Sequence, residues 1–156
     1  MTITLEPIGH VRNARVTPED DDWESVPSII ELAHNFDPEA LLGLDTFSHA
    51  DIIFYFDQVK EDKIVPGARH PRNNPDWPRI GIFAQRGKNR PNRLGLATVE
   101  IVKIDGRDLH IRRLDAINGT PVLDIKPVML EFEPAGQIRQ PDWSHQLMAN
   151  YWQKDK

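Results

Sequence analysis

Three short segments carry the side chains from which chemistry could be built. The connection FAQRGKNRPNRLG, residues 83–95, holds Arg86, Lys88, Arg90 and Arg93 among glycines, asparagines and one proline, with no acidic residue. GLDTFSHADI sets Ser48 and His49 side by side just ahead of an apolar run. NGTPVLDIKP places Asp124 and Lys126 two apart, hence on one face of an extended strand. Guanidinium groups fork onto carboxylates and phosphates, so the first segment can form an anion site. Each segment also has a plain explanation. The arginines can pair with acidic residues elsewhere, His49 can be a capped surface residue, and an exposed Asp–Lys pair carries little energy.

The charge distribution makes the basic segment conspicuous. The 156-residue chain has a formal net charge of -5. Residues 1–62 hold 14 acidic and 3 basic side chains, whereas residues 63–93 hold 8 basic and 1 acidic. An acidic protein is a poor general nucleic-acid binder, but a concentrated cationic stretch can act locally. Cysteine is absent, which excludes disulfides, thiolate zinc sites and a cysteine nucleophile. The six histidines form no close cluster and no i, i+4 pair, so no metal site is expected. Neither a Gly-x-Gly-x-x-Gly turn, a Walker loop nor a Gly-x-Ser-x-Gly elbow occurs. No secretory signal and no apolar run of membrane-spanning length is visible, so a soluble, cytoplasmic protein is expected.

These segments must be held by short strands. Thirteen prolines fall mainly between apolar runs, as in strands joined by ordered loops. ITLEPIGHVRN, SIIELAH, ADIIFYFDQV, IGIFA and LGLATVEIVKI read as strands, and PGARHPRNNPDWPR as a long irregular loop. DPEALLGL begins a short helix with Asp37 as cap and Pro38 in the first turn. Asp105-Gly106 and Asn118-Gly119 predict two hairpins with φ > 0 at both turn positions, the second joining RRLDAI to TPVLDI. The tail DWSHQLMANYWQKDK reads as a helix capped by Asp142, with Trp143, Leu147 and Tyr151 on one face. The expected fold is mainly β: one domain over residues 1–156, a small closed or strongly curled antiparallel β-barrel with short helices, including a C-terminal one.

The three segments in order resemble a known family. L-x-x-F-S-H at residues 44–49, F-A-x-R-x-x-x-R-P-N-x-x-G at residues 83–95 and N-G-T-P-V-L-D-I-K-P at residues 118–127 are similar to the TsaA-like proteins, also called the YaeB or TrmO family. IGHVRN and DWSHQLM are in keeping with it, so the resemblance spans nearly the whole chain. It implies a small β-barrel methyltransferase using S-adenosyl-L-methionine without a Rossmann fold. It also implies a homodimer with the cofactor near the subunit interface. The activity it implies is N6-methylation of threonylcarbamoyl-adenosine beside a tRNA anticodon.

On that resemblance, the donor needs a counter-charge for its amino group, a partner for its carboxylate and hydrogen bonds to its adenine. Asp124, beside Lys126, is the candidate for the first and Arg86 for the second. Phe83, Ala84, Gln85 and Arg86 would meet the adenine edge through backbone groups. His49 would take the proton lost on methylation, since histidine titrates near neutral pH. Arg90, Asn92 and Arg93 would meet the anticodon loop. Pro91 would stiffen the connection, with Gly87 and Gly95 allowing tight turns. The sequence departs from better-known members at Gln85, Gly87, Arg93 and Val128. A divergent member acting on another acceptor, a non-catalytic module binding S-adenosyl-L-methionine or RNA, and a plain interaction domain are the alternatives.

Overall fold

The computed structural model describes residues 1–153. Eight strands occur in chain order: β1 (Gly9–Arg12), β2 (Ser28–Leu32), β3 (His49–Tyr55), β4 (Ala68–Arg69), β5 (Ile80–Gly81), β6 (Leu94–Asp105), β7 (Asp108–Arg112) and β8 (Pro121–Pro127). Six of them close an antiparallel barrel in the order β1-β2-β7-β6-β3-β8, with β8 returning to β1. The short strands β4 and β5 form a separate two-stranded sheet. A helix, α1 (Asp142–Met148), lies near the C-terminus.

Period-2 alternation decides which side chains fill the barrel. In β2, Ser28, Ile30 and Leu32 are buried, and in β3, Ala50, Ile52 and Phe54 are, while their neighbours face outward. Val11, Val99, Leu109, Ile111 and Val122 complete this interior. Two register shifts interrupt the ladders, one in β3–β8 at Ile53/Phe54 and one in β6–β7 at Ile101/Lys103. Such bulges increase local twist, which bends a six-stranded sheet into closure. Gly95 is fixed by packing: a Cβ there would overlap the Phe54 ring. It is thus a strand residue under a core aromatic, not a tight-turn residue, and Gly87 also has no positive φ.

Several sequence expectations are corrected. β6 and β7 do form the hairpin expected at Asp105-Gly106, but only Gly106 has positive φ, because Gly106 and Arg107 are the two central residues. No hairpin joins β7 to β8. Asn118 and Gly119 donate their backbone N–H groups to Arg15 O and Val11 O (both 2.7 Å), so this turn carries β8 across to β1. IGIFA gives only the two residues of β5 before a 3₁₀ turn at Ile82–Ala84. The proline-rich loop contributes β4 and a 3₁₀ turn at Pro71–Asn73.

Two 3₁₀ turns have unusual backbones. Arg72 and Asn73 follow Pro71, and Asn92 and Arg93 follow Pro91, all four with φ between 50° and 62°. Non-glycine residues adopt this left-handed region only where the surroundings hold them there.

The short helix after Asp37 is a 3₁₀ turn, Pro38–Leu41, and Asp37 does cap it, accepting from Glu39 N at 2.9 Å. Pro141, not Asp142, is the residue preceding α1, and no side chain caps it. Past Met148 the backbone tightens to i→i−3 bonds, Ala149 N donating to Gln146 O (3.3 Å) and Tyr151 N to Met148 O (3.1 Å), and the chain then docks on residues 22–24. Asn150, Tyr151 and Trp152 accept from the N–H groups of Asp22, Trp23 and Glu24 at 3.1, 3.0 and 2.9 Å. Tyr151 therefore lies in a strap beyond the helix, and the last three residues of the expected helix lie outside the described residues.

Candidate functional site

The basic connection between β5 and β6 is pinned at both ends. Val65 N donates to Asn89 O (3.0 Å), and Phe56 N donates to Arg93 O (2.9 Å). Its guanidinium groups are anchored on backbone carbonyls. Arg86 Nη2 donates to Leu96 O (2.7 Å), Arg90 Nη1 to Gln85 O (2.6 Å) and Arg93 Nη1 to Val59 O (2.7 Å). Arg93 also lies over the Tyr55 ring at 4.9 Å. Among the described residues, Arg86, Lys88, Arg90 and Arg93 form no ion pair, whereas Arg12, Arg15 and Arg72 each meet a carboxylate. A carbonyl orients a guanidinium without cancelling its charge. Four cations thus stand on one loop without a direct ion pair among the described residues.

The other predicted residues divide between this loop and the barrel wall. Phe83 is 77% exposed, and Ala84 is exposed beside it. Gln85 is buried instead: its Nε2 donates to Arg69 O and Ile80 O (both 3.1 Å), tying β4 and β5 together. Its amide is thereby used for structure, and its backbone is engaged as well, N donating to Ile82 O (3.2 Å) and O accepting from Arg90 Nη1 (2.6 Å). Asn92 is exposed at the tip of the 3₁₀ turn.

Leu96, Ile53 and Asp124 sit abreast on β6, β3 and β8. Two strand spacings separate the carbonyl that holds Arg86 from Asp124, roughly 10 Å. The Asp124 carboxylate is occupied, by Lys126 Nζ at 2.8 Å and by Ile125 N at 2.9 Å. That hydrogen bond and charge raise the Lys126 pKa. His49 is exposed at the start of β3, bonded to Ser48 Oγ at 2.7 Å. It lies four residues along β3 from Ile53, roughly 13 Å from the Arg86–Asp124 row within one chain.

The structure also brings forward a pair the sequence reading missed. Leu114 and Ala116 point into the core, so Asp115 between them faces outward, under the strap. Tyr151 donates its hydroxyl to Asp115 Oδ2 in a short hydrogen bond. Asp115 Oδ1 is enclosed and, among the described residues, has no side-chain or backbone partner. Burial pushes the Asp115 carboxyl above the usual aspartate range, against the opposing pull of Tyr151, of its own backbone N–H and of the Arg86 charge. Burial, then the Asp115 charge, raise the Tyr151 phenol as well, while Arg72 and Arg86 draw it down. Asp115 and Tyr151 thus share the electrostatic surroundings of Arg86. The signal available in the sequence was one carboxylate inside the apolar run LDAI.

Comparison with known proteins places this arrangement. The model of the tRNA-methyltransferase O N-terminal domain matches residues 11–133, which include the basic loop, His49, Asp115 and Asp124. The chain belongs to that family. A human tRNA (adenine(37)-N6)-methyltransferase is 35% identical over 111 residues, 71% of this chain and 25% of the human protein. An Archaeoglobus fulgidus protein named "Probable S-adenosyl-L-methionine-binding protein" is 30% identical over 143 residues, 89% of this chain and 37% of that protein. The crystal structure of TrmO from Pseudomonas aeruginosa superposes with a TM-score of 0.73 at 27% identity, covering 92% of this chain and 62% of the other. The chain thus spans between a quarter and two-thirds of the length of these three proteins. The family domain in this chain is the barrel together with its basic loop.

Proposed function

We propose that this chain, as one domain over residues 1–156, is a methyltransferase that uses S-adenosyl-L-methionine. Its proposed acceptor is the N6 amine of threonylcarbamoyl-adenosine next to a tRNA anticodon. The observation that carries the reading is the loop with four cations in no direct ion pair among the described residues, in an otherwise acidic protein. Family membership and the human relative's name supply the reaction class.

The residues fit such a donor. Arg86 has charge available for a carboxylate, Asp124 would meet an amino group on exchanging its ion pair with Lys126, and the exposed Phe83 and Ala84 beside Gln85 and Arg86 are proposed to meet the adenine edge. When bound, the donor supplies an activated methyl group, and the chain's task is alignment. Arg90, Lys88 and Asn92 would face anticodon-loop phosphates, with Arg93 shaping the loop from below. His49 can serve as proton acceptor only where a second copy brings it to the site, and within one chain another group must take that role.

A homodimer is part of this reading. The outer wall of β6 exposes Leu94 and Leu96, and Phe83, Leu130 and Phe132 are exposed as well, the last two by 86% and 85%. Apolar surface of this kind suits a second copy. Among the described residues, no helix is long and apolar enough to cross a membrane; we place the protein in the cytoplasm with its tRNA. A binding role without catalysis is the second reading, favoured by the archaeal relative's name. Transfer of labelled methyl from S-adenosyl-L-methionine to tRNA from cells lacking the protein decides between them. Methylation at the threonylcarbamoyl nucleotide is the expected result; donor binding with no transfer would favour the binding module.

A further inference from the structure

The reaction proposed above needs a group that accepts the amine proton, and within one chain His49 lies about 13 Å from the row holding Arg86. Asp115 is a second candidate within the same chain. It is an enclosed carboxylate on which the Arg86 charge acts, with one oxygen held by Tyr151 and the other without a partner among the described residues. Enclosing a half-satisfied carboxylate is costly to a fold, and such groups concentrate where chemistry requires them. Tyr151 fixes Oδ2, which leaves Oδ1 as the atom available to a donor group.

We propose that Asp115 Oδ1 takes the proton lost by the methyl-accepting amine, an assignment that rests on the methyltransferase reading. The nitrogen lone pair forms the new N–C bond, the old C–S pair stays on sulfur, and the N–H proton passes to Asp115 Oδ1. Burial makes the carboxylate a stronger base than a solvated aspartate, which brings it closer to the amine it must serve. Oδ1 is closed off in the free chain, so the acceptor enters as the Tyr151 ring moves aside. The strap that carries Tyr151 is held to residues 22–24 by three backbone hydrogen bonds, so the movement required is of the Tyr151 side chain.

The test is Asp115→Asn, which keeps the shape and an acceptor for Tyr151. Single-turnover transfer from S-adenosyl-L-methionine to tRNA containing threonylcarbamoyl-adenosine should fall by about 100-fold, the usual scale of general-base removal. The acid limb of its pH profile should disappear, while affinity for S-adenosylhomocysteine stays within about twofold, as for a group acting on the transition state alone. Near-normal transfer, an unchanged acid limb, or a parallel loss of S-adenosylhomocysteine affinity would overturn the assignment. So would His49→Ala abolishing transfer while Asp115→Asn retains it, a result that would leave the methyltransferase reading standing. No transfer by the wild-type protein would remove both. A carbon-13 carboxyl titration of the wild-type protein gives a reading independent of any variant's folding. Asp115 should titrate above the ordinary aspartate range and respond to S-adenosylhomocysteine; an ordinary, unresponsive value would contradict the proposal.

Discussion

Asp115 and Tyr151 make opposite predictions for stability. Burial raises the Asp115 pKa, so the fold favours its protonated form over its ionised one. Stability from this group is therefore fully present below the ordinary aspartate pKa and is lost as pH rises through the raised value. Asp115→Asn should melt higher than the wild-type protein at neutral pH, and the difference should vanish in acid. A lower melting temperature at neutral pH would refute this sign. A substitution that stabilises the fold while removing turnover is a mark of a functional residue. Tyr151→Phe acts the other way, because it strips the remaining partner from an enclosed carboxylate. It should cost about 2 kcal/mol at neutral pH by thermal or urea unfolding. Ordinary side chains elsewhere on the loop behave differently. Arg93 bridges Val59 O and the Tyr55 ring, so its removal should lower stability by about 1 kcal/mol as well as reduce charge.

Among the elements, legibility followed the range of the forces involved. β2, β3, β6 and β7 were readable because one buried face imposes strict alternation. The partner of β8 was not. Asn118-Gly119 specifies a turn, but the bonds that send β8 to β1 come from Arg15 and Val11, about a hundred residues away in sequence. Beyond α1 the path of the chain likewise depends on distant residues 22–24, whose N–H groups bond the carbonyls of 150–152. The site follows the same rule. The basic loop was visible as local composition, whereas the anchoring of Arg86 on Leu96 and the meeting of Asp115 with Tyr151 depend on chain segments brought together only by folding. Gly95 shows how a glycine can be noticed for the wrong reason. Its role is clearance under Phe54, so Gly95→Ala should destabilise by about 1–3 kcal/mol through overpacking. An unaltered melting curve would mean that the ring can shift.

For the molecule as a whole, charge is sorted rather than balanced. The acidic N-terminal part neutralises Arg15 and Arg72 through Glu19, Asp20 and Asp21. It leaves the loop cations free, which allows an acidic protein to meet a polyanion at one place. If Lys88 and Arg90 both contact phosphates, replacing both with alanine should make the slope of log K against log salt shallower by about 1.5 for tRNA. An unchanged slope would take these two residues out of the interface.

The central claim is that the loop forms the carboxylate end of a methyl-donor site, with Arg86 as its cation. Calorimetric titration of S-adenosylhomocysteine into the wild-type protein and Arg86→Ala tests it most directly. The account predicts binding to the wild-type protein and affinity at least about tenfold weaker in the variant, with its melting temperature little changed. Equal affinity in the two proteins, or no heat at millimolar ligand with either, would contradict it.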